Sequence, residues 1–89
     1  MAEITVSAQG DNRFGVTVAE GGTTTSHVVT ASPRDVARLG SGASARDLVR
    51  ASFAFLLDRE PKESILGRFD LTVIEGYFPE YSNEIGRYL

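Results

Sequence analysis

Apolar and polar residues alternate along the first third of the chain, and the period then changes. Ile4, Val6 and Ala8 alternate with Thr5 and Ser7, and Phe14, Val16 and Val18 with Gly15, Thr17 and Ala19. A period of two is that of a half-buried strand. Gly10-Asp11-Asn12 suits a three-residue hairpin loop with Asn12 in the left-handed position. Gly21-Gly22 suits a two-residue turn whose central residues both need positive φ. That turn pairs Val18 with Thr25, Val16 with His27 and Phe14 with Val29. One face of the resulting meander then carries Ile4, Val6, Phe14, Val16, Val18, Val29 and Ala31. The other carries Thr5, Ser7, Thr17, Thr24, Ser26 and Thr30, so one face seeks a core and the other tolerates water.

Beyond Ala31 the apolar positions recur at helical spacing. Ser32-Pro33 reads as an N-cap with proline at the first helical position, and Gly40 ends a short helix holding Val36 and Leu39. Ser44 followed by Asp47 resembles a capping box, opening a helix that runs to about Arg59. Its stripe is Ala45, Leu48, Val49, Ser52, Phe53 and Leu56, widened by Phe55 and Leu57. Pro61 is placed to start a third helix with Ile65, Leu66 and Phe69. Asp70 caps a further turn through Val73, Ile74, Tyr77 and Phe78, closed by Pro79, and a last turn surrounds Ile85 and Leu89. Phe69, Val73, Ile74 and Phe78 should face the sheet. The expected fold is α+β: a three-stranded antiparallel β-meander (1–31), one face packed by helices from 33–89, in a single domain (1–89).

Composition narrows the chemistry. Cysteine is absent, which removes disulfides, thiol nucleophiles, Fe–S clusters and cysteine-ligated zinc. No apolar run approaches the ~18 residues of a membrane span, and MAEITVSAQG lacks the basic-then-apolar order of a signal peptide, so the expected location is the cytoplasm. Net charge is −3, with a basic middle between acidic flanks. Such a balance is poor for general binding to phosphate backbones.

From Ser52 to Tyr81 the chain reads SFAFLLDREPKESILGRFDLTVIEGYFPEY. The run Arg59-Glu60-Pro61-Lys62-Glu63-Ser64-Ile65-Leu66 and the end Tyr77-Phe78-Pro79-Glu80-Tyr81 resemble the C-terminal half of small uncharacterised bacterial proteins. The resemblance implies a bacterial source, with which eight arginines against one lysine agree. It carries no activity, and therefore no catalytic or binding residue.

No motif commits the chain to a reaction, a cofactor or a metal. His27 is the sole histidine, and any catalytic triad would have to run through it. The register turns it inward beside Val16, where a locally hydrogen-bonded structural imidazole is expected. Gly40-Ser41-Gly42-Ala43-Ser44-Ala45 matches G-x-G-x-x-A, but a dinucleotide loop must follow a strand, and this one follows a helix with no parallel strand predicted after it. Arg34 with Arg38, and Arg46 with Arg50, each share a helix face, yet Asp35, Asp47 and Asp58 are interspersed. Glu63–Phe78 has the outline of a helix-turn-helix, but its second helix offers Glu75, Gly76 and Tyr77 to a groove that wants polar or basic side chains.

The aromatic tail is the stronger signal. Five of eight aromatics, including every tyrosine, fall after residue 68. Tyrosine serves where one end of the ring is buried and the other wet, and it recurs at binding hot spots. The sequence therefore predicts a non-enzymatic binding or regulatory module, acting through a protein partner at Tyr77, Tyr81 and Tyr88 or through self-association. Pairing of the first or third strand with a second copy is the expected route to a homodimer. The alternative is an antitoxin-like or repressor-like nucleic-acid regulator using Arg34, Arg38, Arg46 and Arg50.

Overall fold

The computed structural model describes residues 2–89 and is an α+β fold. Three antiparallel strands come first: β1 (Glu3–Gly10), β2 (Arg13–Glu20) and β3 (Thr23–Thr30). The second turn follows its sequence, with Gly21 and Gly22 at φ of 66° and 82°. Val18 accordingly opposes Thr25, Val16 opposes His27 and Phe14 opposes Val29. The first turn is tighter than a three-residue loop. Asp11 and Asn12 both take left-handed φ, 54° and 63°, and Gly10 opposes Arg13 directly. Both residues tolerate that region because their short polar side chains bond locally. The extra residue is displaced into a bulge between Ala8 and Gly10.

Helix α1 (Pro33–Leu39) starts under Ser32, whose Oγ accepts from the Asp35 backbone N–H, and Gly40 ends it. A residue without a β-carbon is needed there for space: a Cβ on Gly40 would lie 2.6 Å from the Val36 carbonyl oxygen. Helix α2 (Ala45–Leu57) starts under Ser44 in the same way, with the Asp47 N–H as donor. Val6, Val16, Val18 and Val29 from the sheet meet Leu48, Val49, Phe53 and Leu56 of α2 in one core, with Phe55 buried on its far side. Among the described residues no helix is long and apolar enough to cross a membrane.

The sheet has four strands, not the three expected. After α2 comes only a single 3-10 turn (Lys62–Ser64), then an extended segment and β4 (Arg68–Asp70), which pairs parallel with β3. No third helix carries Ile65, Leu66 and Phe69. The physical reason lies in β3: its outward amides would be bare without a neighbour, and Gly67 supplies the carbonyl that accepts from Val28 N–H at 2.8 Å. Phe69 is thus buried from a strand, beside the Ile74 of helix α3 (Leu71–Tyr77), while Val73 and Phe78 are half-buried. Asp70 caps α3 through the Thr72 N–H. Helix α4 (Tyr81–Glu84) and a 3-10 turn (Ile85–Tyr88) close the described chain, with Ile85 in the core.

Candidate functional site

His27 sits where the register put it, buried opposite Val16. Its Nδ1 lies 2.8 Å from the Leu66 carbonyl, which can only accept, so Nδ1 carries a proton. Nε2 meets the Thr25 hydroxyl at 2.8 Å, and the Phe53 ring packs on the imidazole. Nδ1 thus ties β3 to the segment before β4, while Nε2 is spent on Thr25 within β3. Among the described residues no three His, Asp or Glu side chains converge to hold a metal ion.

The glycine run 40–45 joins α1 to α2 and forms its own turn, with Ala43 N–H donating to the Gly40 carbonyl. A parallel strand does follow later in the chain, contrary to expectation, but the loop still opens no helix from a strand. Of the four arginines on α1 and α2, Arg38 is engaged by Glu75 at 2.6 Å and Asp35 at 3.1 Å. Arg34, Arg46 and Arg50 are exposed.

The three tyrosines separate. Tyr81 is fully buried, which overturns the expectation that its hydroxyl faces water and that it offers a docking ring. The turn after Pro79 folds α4 back on α2, placing the Tyr81 hydroxyl 2.6 Å from Ser52 Oγ. Ser52 already donates to the Leu48 carbonyl at 2.7 Å, so Tyr81 is the donor of the pair. Desolvation pushes its phenol up to about 12. Tyr88 is half-buried and donates to Asp58 at 2.5 Å. Only Tyr77 stands free, 68% exposed.

Tyr77 borders an apolar groove of about 120 Å³ between α2, β4 and α3. Leu56, Ile65, Phe69 and Ile74 form its buried floor, and Val73 and Phe78 its half-buried wall. Leu66, 46% exposed, stands at its rim with Tyr77, Ser64 and Glu60. Burial pushes the Glu60 carboxyl above the usual carboxylate range, and among the described residues it has no ion-pair or hydrogen-bond partner. Nothing local in the chain marks Glu60 or Leu66 as site residues. They come together only because residues 59–66 form no α-helix and swing across the end of α2. The runs Arg59–Leu66 and Tyr77–Tyr81, distant in sequence, meet at this groove.

Comparison with protein families, with curated protein sequences and with solved structures finds no match to this chain.

Proposed function

We propose that this chain is a non-enzymatic binding module that takes an apolar side chain of a partner protein into the Leu66–Tyr77 groove, with a neighbouring Lys or Arg of the partner on Glu60. The carrying observation is the pairing of two exposed large apolar residues with an unpartnered, partly desolvated carboxylate at one concave site. Size supports a side chain over a cofactor. Small-molecule sites usually enclose ~300–1,000 Å³, whereas a cavity of ~150 Å³ holds one benzene-sized group. Exposed tyrosine beside leucine is hot-spot composition, and a carboxylate at the rim selects against acidic neighbours.

A library of random short peptides displayed on phage and selected on the protein tests this. Enriched sequences should place Leu, Ile, Phe or Met next to Lys or Arg, and the winning synthetic peptide should bind Tyr77→Ala at least about tenfold more weakly. Glu60→Gln should cost the basic peptides affinity and leave a neutral analogue unaffected. No enrichment, or winners that bind Tyr77→Ala as well as the native protein, would sink the reading.

A further inference from the structure

The two long edges of the sheet are treated differently. On the β3 side the chain covers itself: β4 pairs with Val28–Thr30, and Lys62 Nζ donates to Thr23 Oγ1 at the other end of the strand. The third strand is therefore not open for pairing, which corrects one of the two routes expected for a dimer. On the β1 side nothing in the described chain pairs with the edge, since β1 is the terminal strand of the order and α2 packs on its face.

The identity of the unpaired groups follows from the hairpin. A two-residue turn is flanked by a hydrogen-bonded pair, here Glu20 and Thr23, and bonded pairs then alternate. Val18, Val16 and Phe14 thus bond to β3, while Ala19, Thr17 and Gly15 bond to Glu3, Thr5 and Ser7. The N–H and C=O groups of Ile4, Val6 and Ala8 point away from the sheet. From Ile4 to Gly10 this edge carries no charge and no proline, the devices that usually blunt one.

Beside the edge lies a second concavity, lined by Ala2, Ile4, Ala51, Ala54 and the 42%-exposed Leu89. Asp47 and Arg50 of α2 stand at its rim, and among the described residues neither is in an ion pair. A two-fold axis normal to the sheet keeps both sets of helices on one side, so α2 would lie beside its counterpart. Each Asp47 then faces the other copy's Arg50 and the reverse, the reciprocal arrangement that isologous contacts require. Opposite signs one helical turn apart on the same rim make the surface complementary to itself.

We propose that the chain forms a two-fold homodimer in which β1 pairs antiparallel with β1 of a second copy and α2 packs beside α2, joined by reciprocal Asp47–Arg50 pairs. The register centred on Val6 sets Ile4 opposite the second copy's Ala8 and uses all three outward-facing residues. The two four-stranded sheets become one of eight strands.

Sedimentation equilibrium of the whole chain should show a dimer at tens of micromolar. Arg50→Glu places like charges across the axis and should raise the dissociation constant about tenfold or more. Asp47→Arg should do the same, and the double variant Asp47→Arg/Arg50→Glu should return to within about threefold of native. That rescue cannot come from misfolding. Ala8→Pro removes an outward donor without touching the β1–β2 ladder and should abolish the dimer, while Arg34→Glu on α1 should leave it intact. A native chain that stays monomeric to about millimolar concentration, or an Arg50→Glu variant that dimerises like native, overturns the proposal. Tyr77→Ala should not alter dimerisation, which keeps this outcome separate from that of the peptide groove.

Discussion

At Tyr81 a single phenol ties the tail to the core. Its ring packs edge-on against Phe55 at 5.2 Å between centroids, and its hydroxyl donates into the Ser52–Leu48 turn of α2. Tyr81→Phe keeps the ring and loses the donor, and chemical denaturation should show a cost of about 1 kcal/mol. Tyr81→Ala opens a cavity and should cost about 3–5 kcal/mol. The phenol also makes stability fall at high pH. Ionisation begins near pH 10 in the unfolded chain but near pH 12 in the folded one, so stability is intact below pH 10 and declines as pH rises towards 12. Two units at ~1.4 kcal/mol each amount to about 2–3 kcal/mol, a slope that should vanish from Tyr81→Phe in alkaline melts. His27 has a comparable structural duty, and His27→Gln should lower stability by about 1–3 kcal/mol through loss of one of its two bonds, to Thr25 or to Leu66. The position of His27 was legible because strand alternation and a Gly-Gly turn fix which face each residue takes. Tyr81 was not, because helical spacing stops at Pro79 and nothing local says where the next turn lands. Ser52, a hydroxyl inside an otherwise apolar stripe, was the available sign that α2 awaited a polar group from elsewhere.

Among the elements, the meander and the three capped helices were readable from the chain, since each rests on contacts within a few residues. Strand β4 was not. Three residues are too few to show a period, and its only reason to be extended is the β3 edge some forty residues earlier. The groove depends on that strand, so it was hidden along with it. The segment between α2 and β4 is held by Arg59, whose guanidinium stacks on Phe55 at 3.6 Å. It donates to Glu80, Glu84 and the Phe55 carbonyl. Desolvation alone would lower its pKa, but the bonds to Tyr88 and Glu80 prevail and hold it above the ordinary arginine value. Lysine keeps the charge but cannot stack flat and bridge two carboxylates together. Arg59→Lys should therefore cost about 1–2 kcal/mol in urea unfolding and loosen α4, visible as faster proteolysis after residue 79. An unchanged midpoint would mean that the clasp is decorative.

Across the whole molecule, 35 × 28 × 20 Å, the short axis is that of one sheet layer and one helix layer. The helices cover one face, and Thr5, Thr17 and Ser26 form a hydroxyl row across the other. Among the described residues the large apolar side chains left exposed, Leu66, Tyr77 and Leu89, all fall at the groove or beside the β1 edge. None of this clustering was visible along the sequence, because residues 66 and 77 become neighbours of Leu56 only through the crossover from β3 to β4, and Leu89 reaches Ile4 only once the tail has folded back. The crossover also sets a hierarchy of motions. Closing β4 onto β3 spans a long stretch of chain for three residues of ladder, so it is the least expensive part of the sheet to release. Along β3, then, neighbouring amides should report different events. Val28 N–H, bonded to Gly67, is freed whenever β4 lifts away, while Val29 N–H, facing β2, waits for the meander itself to come apart. Deuterium uptake followed by NMR should give Val28 the smaller protection factor, alternating residue by residue down a single strand. Equal protection at both positions would mean that β4 and the meander open only as one unit.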